Sequence, residues 1–214
     1  MYSTLEDYLV LLTDANDWEA VIEIGEHFRI EERSKFLWAW PTVDCLKWMK
    51  TIFKENDIEN ILSIGCGSGL LEWIVSKYSS IHVHGLELDK SWWQSTYSPK
   101  TFIDLKFTDS EITNDFLRRC ANLETDRFAL MFCYFNNRNA FLHYTRVYKV
   151  GPMSGEHIVT DPNPLNPKFE TNDWLMLCYY QLHDQNLNCI SIFKRLQSTA
   201  SDNRIKAQGH RKIE

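Results

Sequence analysis

An α/β fold, with a mostly parallel sheet carrying helices on both faces and a closing antiparallel hairpin, is predicted by three features of this 214-residue chain. From Asn60 onward, short apolar runs alternate with stretches of helical periodicity. A glycine turn, Gly65-Cys66-Gly67-Ser68-Gly69, joins the first such run to the first such helix. Near the C-terminus two runs, 174–182 and 187–196, are separated only by His-Asp-Gln-Asn, which leaves room for a hairpin and none for a crossover.

The elements follow in order. Leu5, Leu9, Leu12, Val21 and Ile22 have helical spacing, broken by the turn-like Thr-Asp-Ala-Asn-Asp at 13–17, so residues 1–35 read as a helical N-terminal cap. Pro41 is expected to open a helix through Val43, Leu46, Trp48 and Met49 to about Lys54, since proline is accepted at a first helical position. Residues 61–64 read as the first strand and 70–78 as the helix after the glycine turn. Further strands are expected at 81–88, 102–107, 128–135, 157–160, 174–182 and 189–193. Intervening helices are expected at 92–97, 112–123 and 140–148. The α/β domain thus spans 36–196, and residues 197–214 form a polar, basic, loose tail.

Composition narrows the partners. With 23 Lys and Arg against 29 Asp and Glu, the net charge is −6, which argues against capture of nucleic acid or anionic lipid by bulk charge. No apolar run reaches the roughly 18 residues that would span a bilayer, so no membrane partner is expected. The acidic N-terminus lacks the basic start of a signal peptide, so the expected location is the cytosol or the nucleus. Cysteines 45, 66, 120, 133, 178 and 189 form no CxxC pair and read as reduced, mostly buried thiols.

The glycine loop carries the most chemistry. Its third glycine arrives one residue early for the dinucleotide pattern GxGxxG, which disfavours a nicotinamide-dependent oxidoreductase. Glycines let backbone amides approach a ligand closely, and the following helix offers its positive end to an anionic group. Glu87, 22 residues beyond Gly65, falls at the end of the second strand, where a carboxylate can accept both ribose hydroxyls of an adenosine ligand. Asp109 follows the third strand and either accepts from an adenine amino group or simply caps a helix. His82 and His84 alternate on one strand face without a nearby third ligand, so no metal is expected. Tyr134, Asn136 and Asn137 end the fourth strand and are the nearest candidates for catalytic polar groups, although the two asparagines also suit a turn and a cap. Trp38, Trp40, Trp92 and Trp93 either wall a ligand or pack.

Ile-Leu-Ser-Ile-Gly-Cys-Gly-Ser-Gly at 61–69, followed by His-Gly-Leu-Glu-Leu-Asp at 84–89, resembles the first two motifs of the class I S-adenosylmethionine-dependent methyltransferases. The resemblance covers about 36–196 and looks closest to a methyltransferase-like branch marked by Phe-Leu-Trp-Ala-Trp-Pro at 36–41, Gly-Glu-His-Ile-Val-Thr-Asp-Pro at 155–162 and Ile-Phe-Lys-Arg-Leu at 192–196. It implies a Rossmann-like sheet of seven strands and S-adenosylmethionine as cofactor. By this resemblance Gly65, Cys66, Gly67 and Gly69 line the methionine part, Glu87 holds the ribose, and Asp109 or Ser110 meets the adenine. The resemblance further implies methyl transfer to an acceptor expected to be a small molecule or a protein side chain. Two positions depart from the family's pattern: Ser63 stands where an acidic residue is usual at the end of the first strand, and Ala129 where many members have Asp. These departures keep open the alternative of a catalytically inactive binding or partner protein on the same fold.

Overall fold

The computed structural model describes residues 4–108, 127–147, 152–154, 162–182 and 188–196. Its sheet comprises β1 (Asn60–Ile64), β2 (His82–Glu87), β3 (Leu105–Phe107), β4 (Phe128–Cys133), β5 (Pro152–Ser154), β6 (Trp174–Gln181) and β7 (Cys189–Arg195), in the order β3-β2-β1-β4-β5-β7-β6. The first five strands pair in parallel, whereas β7 runs antiparallel to both β5 and β6. This is the Rossmann-like α/β architecture, with its closing hairpin, that the sequence predicts.

Alternation along the strands sends successive side chains to opposite faces, and each face has its own core. On one, Ile61, Ala129 and Met131 pack with Leu5 and Leu9 of α1 (Leu5–Asp14), Val21 and Ile22 of α2 (Trp18–Glu26), and the buried residues of α4 (Val43–Glu55) and α5 (Leu70–Ser79). On the other, Leu62, Ile64, Leu86, Leu130 and Phe132 pack with Phe141 and Tyr144 of α7 (Arg138–Val147). The N-terminal helices therefore share the core of the sheet. Two four-residue helices complete the set, α3 (Ile30–Arg33) and α6 (Lys90–Trp93).

Local chemistry sets the boundaries and corrects several expectations. Thr4 and Asp7 form a reciprocal capping box at α1, and Asp17 caps α2. Pro41 does not open α4: Thr42 is the N-cap, its hydroxyl accepting from the Cys45 N–H at 3.1 Å, and proline sits just outside. Thr42→Ala is expected to cost about 1 kcal/mol, lowering the thermal midpoint by roughly 2–4 °C in a calorimetric scan. The third strand starts at 105 rather than 102 because the Phe102 N–H donates to the Ser68 carbonyl at 2.8 Å, tying this stretch to the glycine loop instead of to β2. The fourth ends at Cys133, since Tyr134 takes φ +50° and leaves the extended region. The helix expected at 92–97 is the shorter α6, started by Asp89, whose carboxylate accepts from the Trp92 N–H. The fifth strand is formed by 152–154, a segment the sequence did not mark as a strand. The expected strand 157–160, the helix 112–123 and the tail from Gln197 lie outside the described residues. Among the described residues no helix is long and apolar enough to cross a membrane.

Candidate functional site

The loop between β1 and α5 sits outside the C-terminal ends of the parallel strands, where such sheets place ligands. Gly65, Gly67 and Gly69 all have φ between +63° and +75°, a left-handed backbone that strains any residue with a Cβ. Their surroundings differ. A Cβ on Gly69 would lie 2.4 Å from Ile103 Cγ1, so this glycine is needed for packing between loop and neighbouring chain. A Cβ on Gly67 would meet nothing within 4 Å and would stand in the open cleft.

Two carboxylates flank the loop. Glu87, at the end of β2, accepts the Gly67 N–H on Oε1 at 2.6 Å, so the strand end and the middle of the loop hold each other. Partial burial raises the Glu87 carboxyl above the usual range, with hydrogen bonds from Gly67 and Trp93 pulling it back. Glu72, in the first turn of α5, is 1% exposed. Its Oε1 accepts the Ser63 hydroxyl at 2.6 Å, and its buried Oε2 has no hydrogen-bond partner. Burial pushes Glu72 up to about 7 despite the Ser63 hydroxyl. The sequence reading missed Glu72, although a lone charge inside Leu-Leu-Glu-Trp-Ile-Val was the available signal.

Two clefts meet at the Gly65–Glu87 ridge. The first, about 220 Å³, is lined by Gly65, Cys66, Gly67, Glu72 and Glu87, with Trp38, Trp92, Trp93 and Tyr134 as aromatic walls. The second, about 180 Å³, is mostly apolar and lies between Leu88, Thr108, Phe135, Ala140 and Tyr144, with Glu87 reaching into both. The buried Thr108 Oγ1 is without a partner there.

The expected site residues divide accordingly. Gly65, Cys66, Gly67 and Glu87 come together, and Gly69 stands behind them as the N-cap of α5. Tyr134 lines the first cleft, its ring stacked on Trp38 at 5.7 Å and its hydroxyl donating to Asn188. Asn136 is exposed and borders neither cleft, although its neighbours Phe135 and Asn137 line the second. Asn137 caps α7 by accepting from the Ala140 N–H and borders the second cleft. Trp40 is no cleft wall: its indole fills the space beside Gly25 and donates to the Ile22 carbonyl at 3.1 Å. Asp109 and Ser110 lie outside the described residues. Of the thiols described, Cys45 and Cys189 are buried while Cys66, Cys133 and Cys178 are partly exposed, and none of the five is in a disulfide. Among the described residues no cluster of three His, Cys, Asp or Glu could hold a metal, and His84 is pulled below the usual histidine range chiefly by burial.

No family model and no curated protein matches this sequence. Several solved structures are similar at low identity. A mutant of MtNAS in complex with S-adenosylmethionine is 10% identical, over 72% of this chain and 62% of its own, with a TM-score of 0.48. A Staphylococcus aureus protein classed as a caffeoyl-CoA O-methyltransferase is 14% identical over 87% of this chain and 98% of its own, at 0.45. The tRNA methyltransferase TrmK of B. subtilis is 8% identical over 70% and 65%, at 0.41. The chain thus spans less than two thirds of the first and the third of these proteins. At such scores none of them assigns a role to a residue here, and what the clefts can hold follows from their own chemistry.

Proposed function

We propose that this protein binds S-adenosylmethionine across the paired clefts and transfers its methyl group to a small molecule or a protein side chain held in the aromatic mouth. The observation that carries this reading is the glycine loop clamped by the Gly67–Glu87 hydrogen bond at the meeting point of a polar and an apolar cleft. The residues fit the cofactor's parts. The space over Gly67 is open, a carboxylate stands at the strand end for the ribose, and the apolar second cleft suits a flat base with Thr108 Oγ1 available to it. Asp109 is the proposed partner of the adenine amino group, and Gly65, Cys66 and Gly67 of the methionine part.

The bound cofactor supplies a sulfonium whose methyl group is already electrophilic. The chain's task is then to orient an acceptor in line and keep water out. Trp38, Trp92 and Trp93 provide the flat walls, whose ring faces favour a cation. Tyr134 is the polar group nearest the acceptor side, fixed in orientation by its strained backbone and by Asn188. A partner protein without turnover is the second reading, favoured by Ser63 and Ala129 at positions where a carboxylate is usual.

Glu87→Ala is expected to weaken S-adenosylhomocysteine by about 10- to 150-fold, or roughly 1.5–3 kcal/mol, by leaving two ribose hydroxyls without an acceptor. Glu87→Gln keeps an oxygen for the Gly67 N–H and should lose less. Calorimetric titration checks both, and equal affinity of wild type and Glu87→Ala would exclude the residue from the site. Incubation of labelled cofactor with metabolite and protein fractions separates the two readings, since binding without any labelled product supports the partner protein.

A further inference from the structure

The geometry points to Glu72, held against Ser63 at the edge of the glycine-loop cleft, as the residue that binds the charged amino group of an amino-acid-bearing ligand. A carboxylate delivered from α5 thereby takes over from the strand position that Ser63 has left neutral. This rests on reading the cleft as the cofactor site and assigns a residue within it.

Three observations converge. Glu72 borders the same cleft as Gly65, Cys66 and Gly67, which places its carboxylate beside the loop that would carry the ligand's amino-acid end. The Ser63 hydroxyl occupies only one carboxylate oxygen, and the other is buried without a partner. Among the described residues no ion pair includes Glu72, so the carboxylate has no resident counter-ion. A buried carboxylate in that position is costly when ionised, and an incoming ammonium is the partner that removes the cost. The groups facing it reinforce this: Glu87 is a second negative charge and the Cys66 thiol is held protonated by burial. Lys35 also borders the cleft and is the one cation there among the described residues. The exchange has a pH signature. Glu72 is largely protonated in the free protein below about 7, so a ligand ammonium displaces that proton, and affinity rises as pH rises through this range.

The test compares S-adenosylhomocysteine with methylthioadenosine, which has the same nucleoside and thioether but no amino-acid chain, by calorimetry on the full chain at pH 6 and pH 8. Glu72→Gln is expected to weaken S-adenosylhomocysteine about 10- to 50-fold at pH 8 and to leave methylthioadenosine unchanged. Wild type should bind S-adenosylhomocysteine about tenfold more tightly at pH 8 than at pH 6, a gain absent from the variant. Independently of any variant, titrating wild type at pH 6.5 in two buffers of different ionisation heat should show release of a proton with S-adenosylhomocysteine only. If both nucleosides bind wild type and Glu72→Gln alike, or no proton is released, the assignment of Glu72 is overturned while the cofactor site stands. If neither nucleoside binds wild type, the cofactor reading fails and the assignment with it.

Discussion

Gly69→Val is expected to destabilise the fold by about 2–5 kcal/mol, whereas Gly67→Val should leave a folded protein that no longer accepts ligand. Both glycines have left-handed φ, so each valine pays a backbone cost of about 1–2 kcal/mol. They differ in what surrounds the new side chain. At Gly69 the first added carbon falls 2.4 Å from Ile103 Cγ1 and 2.9 Å from Cδ1, and overpacking adds about 1–3 kcal/mol. Ile103 cannot simply withdraw, because the Phe102 N–H next to it is bonded to the Ser68 carbonyl of the same loop. The substitution therefore pries the approach to β3 away from the head of α5. At Gly67 the added carbon enters empty space, and the fold loses only the backbone term. Urea denaturation of the two variants beside wild type measures the difference, and titration with S-adenosylhomocysteine measures the loss of binding. Equal stabilities would mean that Ile103 moves freely; undiminished binding by folded Gly67→Val would mean that the cleft over the loop is not where the ligand lies.

How much of this was legible in the sequence depends on whether the cause was local. The β1-loop-α5 unit was readable because apolar run, glycine spacing and helical periodicity all lie within 61–78. The hairpin was readable from the shortness of its connection, and the structure closes it with the Leu182 N–H on the Asn188 carbonyl at 2.7 Å. Strand ends were less readable, since the shortening of β3 comes from Ser68, a loop residue 34 positions before Phe102. The fifth strand escaped because Pro152–Ser154 gains its place only by pairing with β4 and β7, and three residues carry no periodicity of their own. Trp40 and Trp38 look alike in Phe-Leu-Trp-Ala-Trp-Pro, yet Gly25 makes room for one indole and Tyr134 stacks on the other. At the site, Ser63 was marked by its position at the end of the first strand but its partner Glu72 was not, because the Ser63–Glu72 contact joins a strand to a helix.

That contact gives the largest expected pH effect on stability. Burial moves Glu72 from the ordinary 4.5 to about 7, so between these values the folded chain holds a proton that the unfolded chain has released. Stability is therefore full below about 4.5 and falls as pH rises through about 7, the reverse of a carboxylate held by an ion pair. The span corresponds to about 3 kcal/mol, the free energy of keeping a charge in a site without a counter-ion. Glu72→Gln keeps an oxygen for the Ser63 hydroxyl and cannot ionise, so it should match wild type near pH 4.5 and exceed it at pH 8 by that amount, about 6–12 °C in thermal midpoint. Asp7, Asp89 and Asp173 are shifted down by their hydrogen bonds and act in the opposite sense, but they are common to both proteins and cancel in the difference. Glu87 is raised by its own burial in both proteins, and its repulsion of Glu72 is already part of the Glu72 shift, so it adds nothing further to the difference. Midpoints measured for both proteins from pH 4.5 to 8.5 decide it: parallel curves would mean that Glu72 is ionised throughout and solvated in a way its burial does not suggest. Where S-adenosylhomocysteine is added at saturation, the ammonium should supply the missing counter-ion, and the high-pH deficit of wild type against Glu72→Gln should shrink.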